Sequence, residues 1–237
     1  MPARSRRQGR QLSIRYRTWG GRRQGAGRKV SKPGRVAHRT RPLVTTRYPV
    51  HVSLRVKDDV PSLRGRRCWP IVADVLRLAL ERPGFRVIHF CVVGNHIHLI
   101  CEALDADHLA RGVRALGIRL ARSLNARLGR RGSLFVGRYH ARILRTPLEV
   151  QRALLYVLNN HRRHALAGYR AAGPLTVTGE GDADPCSSGP WFDGWRRPPE
   201  NGRAPPPWAP AARTWLLRTG WRRHGLLCVD AVPGPAR

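Results

Sequence analysis

From Pro49 the chain alternates apolar and polar residues one by one. Val50, Val52, Leu54 and Val56 fall on one side of an extended backbone, and His51, Ser53 and Arg55 on the other. That is the pattern of a half-buried strand. The period then lengthens: Ile71, Val72, Val75, Leu76, Leu78 and Ala79 share one helical face between Pro70 and Glu81, and Pro83-Gly84 closes it. Two more strands are predicted over Phe85 to Val93 and His96 to Ala103, with Gly94-Asn95 as a tight connection. Leu109, Val113, Leu116, Leu120, Leu124 and Leu128 predict a long amphipathic helix that Gly129 ends, with Arg111, Arg114, Arg119, Arg122 and Arg127 mostly off the apolar stripe. Leu134 to Leu144 reads as a fourth strand studded with Arg138, His140 and Arg142. Thr146-Pro147-Leu148-Glu149 supplies an N-cap, a proline at the first helical position and a glutamate three residues after the cap. It predicts a helix from Pro147 to about His164. On it Arg152, Tyr156 and Asn160 share one face, and Val150, Leu154, Val157 and Leu158 fill the buried side.

The two ends read differently. Residues 1–46 contain no acid, and the run from Trp19 to Lys29 is rich in Gly and Arg without strand or helix period. We expect a disordered basic arm whose Arg22, Arg23, Arg28 and Lys29 lie on a phosphate backbone. From Ala171 the composition turns to Gly, Asp and Pro, which predicts a linker and a Trp/Pro-rich C-terminal extension over 171–237. A short helix is expected near Trp215 to Arg223, its tryptophans docking on a core in preference to stacking on bases. The catalytic domain is accordingly expected over 47–170.

Charge narrows the function. The chain carries 45 Lys+Arg against 14 Asp+Glu, a net charge of +31. Such an excess points to a polyanion, with nucleic acid ahead of acidic lipid. Five scattered cysteines form no CxxC pair, which argues against a disulfide scaffold or zinc finger and for a reducing compartment. No apolar run approaches the roughly 18 residues of a membrane helix, and no signal-peptide core follows the start. A cytoplasmic, nucleoid-associated protein without a membrane partner is expected.

The candidate chemistry centres on Gly94-Asn95-His96-Ile97-His98-Leu99-Ile100-Cys101. In a strand, His96 and His98 point to one face with Cα atoms roughly 7 Å apart, close enough to share an ion. Glu102 points the same way but lies about 13 Å beyond His98, too far to join them.

Three stretches together carry a resemblance: Gly94 to Ile100, then Leu134-Phe135-Val136-Gly137-Arg138-Tyr139-His140, then Tyr156-Val157-Leu158-Asn159-Asn160. In order and spacing they resemble the single-tyrosine (HUH) transposases of the insertion-sequence 200 type, and most closely their REP-associated branch. The likeness covers about residues 42–168. It implies an α+β, ferredoxin-like antiparallel sheet with helices packed on one face. It implies His96 and His98 as metal ligands, Asn160 as the third, and Tyr156 as a nucleophile that forms a 5′-phosphotyrosine. The implied cofactor is a divalent ion, Mg2+ or Mn2+, imidazole suiting Mn2+ better. The implied partner is single-stranded, palindromic or hairpin DNA, and the implied unit is a homodimer or a lone chain. Arg138, His140, Arg142 and Arg152 are expected to contact DNA. His164, one turn beyond Asn160, is a weaker candidate for the metal or for phosphate. Tyr139 and Tyr169 compete as nucleophiles, but neither shares a face with an amide ligand. The branch usually has proline where His161 stands and histidine where Leu158 stands, so the end of the tyrosine helix is expected to differ. Two other readings remain: a DNA-hairpin-binding protein of the same fold without catalysis, and a structural zinc site at the histidine pair.

Overall fold

The computed structural model describes residues 43–166 and 179–234. The strict alternation after Pro49 becomes strand β1 (Val50–Arg55), followed by α1 (Trp69–Ala79), a two-residue strand β2 (Glu81–Arg82), β3 (Phe85–Val92) and β4 (His96–Ala103). Helix α2 (Ala106–Leu128), β5 (His140–Ile143), α3 (Pro147–Leu158) and α4 (Asn160–Leu166) complete the part that carries the three motifs. All strand pairs are antiparallel, in the order β2-β3-β4-β1-β5. The α+β class and the ferredoxin-like strand arrangement therefore stand as the resemblance implied.

Alternation sorts the strands into two faces. Val50, Val52 and Leu54 of β1 join Ile97, Leu99 and Cys101 of β4 under α1 and α2. Gly112 lets α2 come close, since a Cβ there would stand 2.2 Å from the Phe85 ring. α2 begins at Asp105, whose carboxylate accepts the His108 N–H, and ends at Gly129 in the left-handed conformation at φ 65°. The pairing of β3 with β4 shifts between Val87 and His89, so Val87 and Phe90 both face this core while Ile88 and Cys91 face the other way.

Four expectations need correction. Helices on one face describe α1 and α2 only. Ile88, Cys91, Val93 and Ile100 make the second face apolar as well, and α3 covers it with Val150, Ala153, Leu154 and Val157. The stretch expected as a linker is, over 179–234, part of that same second core through Ala183, Phe192, Trp195, Leu216, Leu217 and Trp221. Its composition misled because its order comes from long-range contacts. The Arg64 guanidinium donates to both Asp184 carboxylate oxygens at 2.7 and 2.8 Å and to Val92 O at 2.9 Å. Both side chains are all but fully buried. Burial works against the Arg64 charge, but the Asp184 hydrogen bonds and charge outweigh it and raise the pKa. Asp184 also accepts Cys186 N–H at 3.0 Å, and Ser188 N–H donates to Phe90 O at 3.0 Å, which fastens the segment to β3.

Third, the helix predicted from Pro147 to His164 is broken. Its start is as expected, with both hydrogen bonds of the Thr146–Glu149 capping box in place. It stops at Asn159 (φ −108°, ψ 15°), and α4 starts anew at Asn160. The Asn159 amide donates to Cys228 O at 3.1 Å and Ala231 O at 2.8 Å, so the C-terminal segment fixes the break. The fourth strand is also shorter than expected, because its pairing with β1 is interrupted. Phe135 bridges to Val56 and His140 pairs with Ser53, so the four residues Val136 to Tyr139 stand opposite the two residues Leu54 and Arg55, with the Val136 N–H still donating to Arg55 O at 3.0 Å.

Removing the Asp184 charge should leave a buried guanidinium uncompensated. Asp184→Asn is expected to lower the unfolding free energy by about 3–5 kcal/mol in urea titrations, and Arg64→Met with Asp184→Leu by less. His89 and His161 are held down to about 4, chiefly by burial. The unfolded chain therefore binds more protons than the folded one between roughly pH 6.5 and pH 4, so stability falls as pH falls through that window. Each histidine adds about 1.4 kcal/mol per pH unit to the slope there. Thermal melts of wild type and His89→Gln across pH 4–7 are expected to show the variant with the shallower slope.

Candidate active site

β4 places the two histidines. Three backbone hydrogen bonds hold the loop before it: Val93 N–H to His96 O (2.9 Å), Val56 N–H to Asn95 O (3.0 Å) and Leu63 N–H to Gly94 O (2.8 Å). His96 and His98 then project from the face that α3 covers, their rings 6.0 Å apart and within 7° of parallel. Burial lowers the His98 pKa well below the ordinary value, with His51, His96 and His164 adding positive field. Burial lowers His96 too, and Arg55 contributes. Both imidazoles are thereby kept neutral, with lone pairs available to an ion.

The sequence motifs converge on this pair. Tyr156, near the end of α3, meets His98 edge-on with ring centroids 5.4 Å apart. Burial raises the Tyr156 pKa, and the Arg163 guanidinium, 5.9 Å over the ring, opposes that. Asn160 begins α4 beyond the break and is fully buried. Its amide lies near the Tyr156 hydroxyl, yet neither amide atom completes a hydrogen bond of ordinary geometry. A buried amide so left costs about 1–3 kcal/mol unless something else engages it. His164 lies close enough to lower both His96 and His98. Among the described residues, no group of three His, Cys, Asp or Glu side chains stands ready to hold an ion. A site here needs a third donor of another type. Two neutral imidazoles with one orphaned amide oxygen fit a divalent ion of borderline softness.

The basic candidates separate. Arg142 and Arg152 line a cleft of about 470 Å³ beside Tyr156, with His51, Leu144 and Leu155. Arg142 also pairs with Glu149 at 3.2 Å. His140 and Arg138 are exposed and do not line this cleft. Arg22, Arg23, Arg28 and Lys29 lie outside the described residues, as does Tyr169. Tyr139 packs against the core under α1 and α2, on the side of the sheet away from the histidine pair. Glu102 is structural: it takes Arg86, the Thr214 hydroxyl (2.8 Å) and the Arg213 and Thr214 N–H groups.

One member escaped the sequence reading. His51 sits on β1 with its Nε2 3.3 Å from His98 Nδ1 and its ring 5.8 Å from Tyr156. Burial, with Arg142 and His140, holds its pKa at about 4. The strand alternation places it on the polar face. Only the pairing of β1 with β4, Ser53 opposite His98, turns that face into the site.

No family model matches the chain. No curated protein matches it. Among solved structures it is similar to that of a REP-associated tyrosine transposase bound to a REP hairpin, at 13% identity and a TM-score of 0.41, over 56% of this chain and 76% of that one.

Proposed function

We propose that the protein is a metal-dependent DNA-cleaving and strand-joining enzyme in which Tyr156 is the nucleophile. The observation that carries this reading is the edge-on contact of a half-buried tyrosine with His98, whose ring is stacked with that of His96, beside a cleft flanked by arginines. Tyrosine attack needs a phosphate whose charge is neutralised and whose leaving oxygen lies in line. A divalent ion on His96, His98 and Asn160 would supply Lewis-acid neutralisation of that phosphate. The chain's own groups do the rest. Arg142 and Arg152 draw the strand into the cleft. Arg163 opposes the upward pull of burial on the Tyr156 pKa and so eases loss of the phenolic proton.

The Tyr156 oxygen forms a bond to phosphorus, and the bond from phosphorus to the 3′ oxygen breaks. The phenolic proton is lost, and the departing oxygen gains one to become a 3′-OH. The 5′-phosphotyrosine conserves the phosphodiester energy, so another 3′-OH can reverse the step and join strands. Single-stranded or hairpin DNA is the proposed substrate, and the +31 charge supplies the general affinity.

Incubation with a labelled hairpin-bearing strand and Mn2+ or Mg2+ is expected to yield a covalent adduct on a denaturing gel. Tyr156→Phe should abolish it, and His96→Ala with His98→Ala should abolish it while leaving most DNA affinity. Binding of every hairpin tested with no adduct in any metal would instead identify a binding protein without catalysis. Arg152→Gln should reduce the salt slope of single-strand binding by about 0.7, measured by fluorescence anisotropy from 50 to 200 mM salt.

A further inference from the structure

Both histidines of the candidate metal pair have their Nδ1 occupied and their Nε2 open. His96 Nδ1 lies 2.6 Å from the Asn95 side-chain oxygen, an acceptor only, so the imidazole proton is on Nδ1. His98 Nδ1 lies 3.3 Å from His51 Nε2. Among the described residues no hydrogen bond reaches either Nε2. In a neutral imidazole one nitrogen carries the proton and the other the lone pair, and the bond made by the first decides which.

We infer that Asn95 and His51 are positioning residues that set His96 and His98 in the Nδ1–H tautomer, leaving both Nε2 lone pairs for one divalent ion. This rests on the metal site proposed above and adds two residues to it from outside the motif ligands. At His96 the oxygen of Asn95 admits only one direction. At His98 two directions exist. If His51 donated, His98 would carry its proton on Nε2 and lose its ligand lone pair. If His51 accepts, His98 Nε2 is free, and the proton of His51 sits on its own Nδ1. An ion on His98 therefore requires His51 as the acceptor.

The geometry suits this role. His51 comes from β1, so the His98 ring is tied to the neighbouring strand, while Asn95, the last residue before β4, ties the His96 ring to its own chain neighbour. The two tethers act on the same atom of each ring, in keeping with rings only 7° from parallel. Asn95 is held in turn, because its carbonyl accepts Val56 N–H at 3.0 Å. Loss of such an orienting partner typically weakens metal binding about 10–100-fold.

The test needs no DNA and no turnover. Imidazole 15N shifts of the metal-free protein at pH 7.5 report each tautomer, and Mn2+ or Co2+ titration by calorimetry reports affinity. Wild type should show His96 in the Nδ1–H form, and binding of one ion should fix His98 in that form. His51→Leu and Asn95→Ala are each expected to bind about 10–100-fold more weakly, with melting temperatures close to wild type. His51→Gln and Asn95→Asp, which keep an acceptor oxygen, should restore binding to within a few-fold. An Nε2–H tautomer at His96, or wild-type affinity in His51→Leu while His96→Ala abolishes binding, overturns the assignment of these two residues and leaves the metal site standing. A wild-type protein that takes up neither ion overturns both.

Discussion

Strand β4 is buried on both sides, and everything else follows from how it is held in register. Its odd-numbered side chains, Ile97, Leu99 and Cys101, complete the core beneath α1 and α2, while His98 and Ile100 face α3. A slip by one residue would exchange the faces, putting imidazoles into the apolar core and isoleucine against Tyr156. Pairing with β1 on one side and β3 on the other, over nearly the whole length of β4, excludes that slip. The backbone bonds that hold Gly94 and Asn95 fix where the strand begins. The site is thus a by-product of core packing: hydrophobic burial on one face sets the position of the polar groups on the other.

The second face shows how polar groups can be buried without losing a defined structure. His51, His98, His161 and His89 are all driven toward the neutral form by their surroundings. The strongest charges there, Arg64 and Asp184, satisfy each other and several backbone groups, and so tie the C-terminal segment to the sheet. That segment in turn receives the Asn159 amide and ends α3 one residue before Asn160. The conformation of the candidate ligand Asn160 therefore depends on residues about seventy positions later in the chain.

This division explains what the sequence could disclose. Periodicity and capping chemistry are local, so β1, α2 with its glycine stop and the capping box at Thr146 were legible residue by residue. His96 and His98 were legible because alternation alone puts both on one face. The helix break at Asn159 was not, since nothing between Thr146 and His164 demands it. The order of residues 179–234 was hidden by a Pro- and Gly-rich composition whose contacts are almost all long-range, Arg64 with Asp184 foremost. His51 was visible on the polar side of its strand, but a lone histidine acquires meaning only when β1 is laid beside β4.

The proposed chemistry stands or falls with a covalent bond from Tyr156, backed by the His96–His98 pair, to DNA phosphorus. The most direct measurement is mass spectrometry of tryptic peptides after the protein has reacted, with Mn2+, on a hairpin-bearing strand and the DNA has been trimmed by nuclease. A nucleotide attached by phosphate to the peptide containing Tyr156 is expected, formed only when the metal is present. Attachment at another residue, or an adduct that forms equally well with His96 and His98 replaced by alanine, would contradict it.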